Sequence, residues 1–110
     1  MKKCIFFLLI FLFPLNAYAK EVIDVCATYE NTGKSYAVEA QIYKGPELNR
    51  ATSSFDYNTF STYAVIFWSS DQVSVIELDY YFGFIGFSPI KGTDQRGYPW
   101  EIEKGNLVCF

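Results

Sequence analysis

The sequence predicts a small all-β domain, an antiparallel barrel or sandwich of six to eight short strands closed by one disulfide. Three observations carry that expectation. Apolar residues recur with a period of two rather than 3.6 across most of the chain. Turn-forming clusters interrupt them at short intervals, as in sandwiches and barrels. Two cysteines, Cys26 and Cys109, stand near the two ends of the part that reads as folded.

Residues 1–19, MKKCIFFLLIFLFPLNAYA, have a different character. Lys2 and Lys3 form a basic start, Cys4 to Phe13 an apolar run, and Ala17-Tyr18-Ala19 a small-x-small cleavage pattern after Pro14. These are the parts of a secretory signal peptide. The apolar run is about half the roughly 20 residues needed to span a bilayer. Cys26 follows Ile23-Asp24-Val25, which lacks the small residues of a lipidation site. The expectation is cleavage after Ala19 and an exported β domain over residues 20–110, in the periplasm or secreted, with no stable membrane anchor. Loss of Lys2 and Lys3 leaves seven basic against twelve acidic residues.

Within 20–110 the elements read in order. Glu21–Tyr29 is rich in β-branched and aromatic residues, and Glu30-Asn31-Thr32-Gly33-Lys34 is a turn cluster. Ser35–Tyr43 alternates, with Tyr36, Val38, Ala40 and Ile42 on one face and Ala37, Glu39, Gln41 and Tyr43 on the other, so the two segments form a hairpin. Lys44–Asn49 reads as a loop. Arg50–Thr62 is ambiguous: Glu47–Ser54 is the one helix candidate, and Phe55, Tyr57 and Phe60 suggest a short strand.

Tyr63–Trp68 (YAVIFW) is a continuous apolar run, the mark of a strand covered on both faces. After the turn Ser69–Gln72, Val73–Tyr81 alternates and completes a second hairpin. Tyr80–Phe87 (YYFGFIGF) carries no charge and two glycines. It is expected to be a covered strand bent at Gly83 and Gly86, with a protruding apolar loop as the alternative. Gly92–Gly97 reads as a long turn, Tyr98–Glu103 as a strand with Pro99 at its start or on an edge, and Leu107–Phe110 as a short last strand.

An even cysteine count in a small exported domain reads as a disulfide. Cys26 and Cys109 allow one intramolecular pairing, closing nearly the whole mature chain, worth roughly 4–5 kcal/mol in the chain-entropy model. There is no Cys-x-x-Cys redox motif, and two cysteines without histidine leave too few soft ligands for zinc.

No residue set points to catalysis. The chain has no histidine, which removes the commonest general base and metal ligand. No Gly-x-Ser-x-Gly elbow is present, and the glycine-rich stretches lack the strand–turn–helix context of phosphate loops. Glu77 with Asp79, and Glu101 with Glu103, sit two apart on strands, about 6.5–7 Å between neighbours on a face. That spacing suits a carboxylate pair for glycoside hydrolysis, but alternating acids more often mark a solvated face. The acidic balance argues against nucleic acid. No cofactor or metal is expected.

What remains is recognition. Seventeen of the 91 residues after position 19 are aromatic, more than so small a core encloses, and Tyr and Trp dominate binding hot spots. The candidate interaction surface is Tyr81, Phe82, Phe84, Phe87, Tyr98 and Trp100. The expected function is a non-catalytic binding or inhibitor-type domain recognising a protein of the cell envelope. The alternatives are a carbohydrate- or peptidoglycan-binding domain and, behind it, a small hydrolase using Glu77/Asp79 or Glu101/Glu103. An export leader, Cys26 in an early strand, Cys109 near the C-terminus and Trp100 upstream of it together give an outline similar to the periplasmic inhibitors of C-type lysozymes. That resemblance implies an exported β-barrel that binds a protein. The Ser-Gly-x-x-Tyr loop which enters the lysozyme cleft in that family has no counterpart here, so no binding residue is carried over.

Overall fold

The computed structural model describes residues 21–105 and Cys109. The expected signal peptide, residues 1–19, and all of the expected last strand except Cys109 lie outside the described residues. Six strands, β1 (Glu21–Tyr29), β2 (Lys34–Lys44), β3 (Thr62–Ser69), β4 (Gln72–Leu78), β5 (Ile90–Thr93) and β6 (Pro99–Lys104), follow one another around a closed antiparallel barrel. A single helix, α1 (Gly45–Thr52), joins β2 to β3. Every ladder links strands adjacent in sequence except β1 with β6, which closes the cylinder through Val25↔Lys104 to Tyr29↔Trp100.

The period-two pattern assigns the inside. Val25, Ala27, Ala40, Ile42, Ala64, Ile66, Ile76, Leu78, Ile90 and Ile102 form the core, each at most 5% exposed. A six-stranded barrel is narrow, so small and branched side chains must alternate within it. Three alanines and Gly92 provide the small positions. A Cβ on Gly92 would lie 2.7 Å from both the Glu77 carbonyl oxygen and Ile76 Cγ2.

The YAVIFW run is covered on both faces over its first half, as expected. Ala64 and Ile66 face inward, while Tyr63 and Val65 pack outside the wall with Tyr43 and Leu48 of α1. The helix runs from Gly45 to Thr52, slightly ahead of the 47–54 candidate. Pro46 suits its first turn, and the Lys44 N–H donates to Glu47 Oε1 at 2.9 Å. Ser53, in the left-handed region at φ 55°, ends it. Gly45 cannot be replaced here, because an added Cβ would overlap the Asn58 carbonyl. The strand expected around Phe55, Tyr57 and Phe60 does not form. Asn49 holds that segment as a loop through its side chain, donating to the Tyr57 carbonyl and accepting from the Tyr57 N–H, both at 3.0 Å.

Two corrections concern residues 79–97. Strand β4 ends at Leu78, and Tyr80–Phe87 is an exposed loop rather than a covered strand. Only Ile85 enters the core. The expected long turn from Gly92 begins later, because Ile90–Thr93 is a strand paired to both β4 and β6. Pro99 opens β6, as expected.

Cys26 and Cys109 are bonded, with a Cα–Cα separation of 5.6 Å. Cys26 lies opposite Glu103 in the β1–β6 ladder, so the bridge fastens Cys109 beside the closing seam.

Candidate functional site

The two ends of the barrel differ in kind. The tight turns 30–33, 70–71 and 94–98 surround one end. The helix–loop segment 45–61, the loop 79–89 and the start of β1 lie at the other.

At the turn end the inward face of four strands finishes in aromatic residues: Tyr29 on β1, Tyr36 on β2, Trp68 on β3 and Trp100 on β6. Trp68 and Trp100 stack at 5.8 Å between centroids and 27° between planes. Tyr36 meets Trp68 edge-on at 5.2 Å, and Tyr29 lies 5.0 Å from Trp100. Each indole N–H is satisfied inside the protein. Trp68 Nε1 donates to Ser74 Oγ and Trp100 Nε1 to Asp94 Oδ2, both at 2.9 Å. The rings are therefore fixed in orientation and form the floor of an open cleft of about 550 Å³. Its rim adds Asp71, Gln72, Val73, Gln95 and Arg96. That volume falls in the range of small-ligand pockets.

Asp94 builds the rim. Its Oδ1 accepts from the backbone N–H groups of Arg96 and Tyr98 at 2.9 and 3.0 Å, in addition to the Trp100 bond. Gly97, at φ +89°, makes the turn and returns its N–H to the Asp94 carbonyl. Burial works against the Asp94 charge, yet the hydrogen bonds from Trp100, Tyr98 and Arg96, with the Arg96 charge nearby, hold its carboxyl below the ordinary 3.8. Gln95 bridges to the wall: its Nε2 donates to the Val73 carbonyl and its Oε1 accepts from the Val75 N–H, both at 2.8 Å. β5 pairs with β4 only at Glu77 and Leu78. The Gln95 amide thus acts as a one-residue continuation of β5 where the seam would open.

At the other end, Phe82, Phe84 and Phe87 are 80%, 66% and 66% exposed, and Phe55 and Phe60 almost wholly so. Tyr81 is partly buried and donates from its hydroxyl to Glu21 Oε1 at 2.7 Å. Burial and that carboxylate push its phenol upward.

The six residues of the expected interaction surface therefore do not form one surface. Tyr81, Phe82, Phe84 and Phe87 lie at the loop end. Tyr98 and Trp100 lie at the turn end, where Tyr98 packs edge-on against Tyr29 and Trp100, only 5% exposed, belongs to the cleft floor. Tyr29, Tyr36 and Trp68 were the residues to add. Each is the inward position of its strand nearest a turn, a place that alternation marks one strand at a time without showing that the rings meet. None of the four paired acids lines the cleft. Glu77 accepts from Ser61 Oγ at 2.5 Å on the outer wall, and Asp79 is exposed beyond the end of β4. Among the described residues no cluster of three or more His, Cys, Asp or Glu could hold a metal. No protein-family model, no curated protein and no solved structure matches the chain.

Proposed function

We propose that the chain is a small exported, non-catalytic binding domain that recognises a protein of the cell envelope, with the aromatic cleft as its receptor site. The cleft floor is the observation that carries this reading. Two tryptophans are held by internal hydrogen bonds, two tyrosines pack against them, and Arg96 frames the set; these are residue types that anchor protein interfaces at low entropic cost. A cleft of about 550 Å³ accommodates one or two projecting side chains of a partner. Export rests on the leader pattern of residues 1–19, and the Cys26–Cys109 bond is compatible with an oxidising compartment.

A photo-crosslinker placed at Gln72, on the rim, should give a discrete protein adduct in exporting cells. The adduct should fade in Arg96→Ala. The same crosslinker at Glu39, exposed on the outer face of β2, is the control. Identical adducts from both positions, or none from Gln72, would remove the proposal.

The polar groups Asp71, Gln72 and Arg96 beside the aromatic floor favour a second reading, a glycan or peptidoglycan fragment in the same cleft. Both tryptophans line the floor, so their emission reports occupancy directly. A saturable shift with muropeptides, without protein adducts, would select the glycan.

A further inference from the structure

We propose that the end of the barrel opposite the cleft docks reversibly on a lipid bilayer, inserting Phe82, Phe84 and Phe87 at the interface. The loop carries no charged side chain between Asp79 and Lys91. It is held from below at three points: Ile85 is buried in the core, the Lys104 N–H donates to the Gly86 carbonyl at 2.6 Å, and Tyr81 bonds Glu21. Gly83, at φ +99°, makes the bend between Phe82 and Phe84. The loop buries its isoleucine and leaves its three phenylalanines in solvent. A second loop at the same end bears Phe55 and Phe60, 97% and 98% exposed. Phe, with Trp and Leu, is what interfacially bound segments bury at the boundary between headgroups and acyl chains.

The rest of the chain selects a bilayer over a second copy as the occupant. β1 begins at this end, and only residues 14–20 separate Glu21 from the apolar run 4–13. This choice rests on the export proposed above: a leader of that type resides in the membrane while attached, which would bring this end of the barrel to the lipid. Charges here are of both signs, with Glu21, Asp56 and Asp79 against Arg50, Lys91 and Lys104. The contact is therefore apolar and not a lure for anionic headgroups. The cleft faces the opposite way and stays open to the aqueous compartment.

The test uses residues 20–110 with the disulfide formed, sedimented with vesicles of phosphatidylethanolamine and phosphatidylglycerol or of phosphatidylcholine alone. Binding to both is expected, and it should persist at about 1 M salt, where charges are screened within about 3 Å. The double variant F82S/F84S should lower the bound fraction by about tenfold or more while melting as the wild type does. In Phe84→Trp, brominated lipids should quench the introduced indole and spare Trp68 and Trp100. Absence of sedimentation with either vesicle overturns the proposal. So does equal quenching at all indoles, or a dimer that F82S/F84S dissolves in a protein that ignores vesicles. None of these outcomes tests whether a protein or a glycan occupies the cleft, so the two proposals fail separately.

Discussion

Gly92 shows how tightly the barrel wall closes. Its position opposite Leu78 on one side and Trp100 on the other leaves no room for a methyl group. Gly92→Ala is expected to cost about 1–3 kcal/mol, the range for an overpacked core, read as a lower urea midpoint. Phe84 behaves in the opposite way. A covered strand would make Phe84→Ser costly, but the ring is exposed, so the melting temperature should hardly move. Gly86→Val is mild for the same reason, since the added Cβ meets only the movable Phe84 ring at 3.2 Å. Asp94 has a folded pKa below its ordinary value, so its stabilisation is complete above about pH 4 and fades as pH falls through the folded value. Asp94→Asn turns an accepting oxygen into a donor facing the Trp100 N–H, with an expected loss of about 1–3 kcal/mol at neutral pH. Denaturant midpoints at neutral and acid pH check the sign: the gap between the variant and wild type should narrow as the solution is acidified.

Among the elements, β2, β4 and β6 are legible from alternation, β1 from its β-branched and aromatic content and β3 from its continuous apolar run, with glycine or small polar residues in most of the turns between them. β5 was hidden, since Ile90-Lys91-Gly92-Thr93 is too short to show a period and its glycine reads as a turn. Tyr80–Phe87 departs from expectation for a related reason. An uncharged aromatic run with two glycines has the composition of a buried strand, and only the placement of Ile85 inside decides that its phenylalanines stay outside. The loop over 53–61 depended on the Asn49 side chain, which alternation cannot report. Where β5 stops, Gln95 replaces a missing rung. Gln95→Ala should expose the Val75 amide, seen as faster hydrogen exchange at that position, with a stability loss of about 1 kcal/mol. Exchange at Val75 unchanged in the variant would mean the seam is held by other groups.

For the whole molecule, the fold class and the cysteine pairing could be read from the sequence, but the cleft could not. Its four aromatic rings come from strands spread over most of the chain, and they meet only because β1 pairs with β6. Cys26→Ser or Cys109→Ser should lower stability by about 2–5 kcal/mol, the usual effect of losing a disulfide from a small domain, measured by denaturant titration with and without reductant. The same seam has a kinetic meaning. Five of the six ladders are local and can form as hairpins on the microsecond scale, whereas the sixth must bring together segments from opposite ends of the chain, the slow kind of contact in folding. The Cys26–Cys109 bond keeps those segments together even in the unfolded chain. Oxidised protein should therefore refold much faster than reduced protein, with most of the difference in the folding limb of the chevron and little in the unfolding limb. If so, the order of events in the cell follows: thiol oxidation before the barrel closes shortens the interval in which its strand edges and phenylalanines are open to other chains.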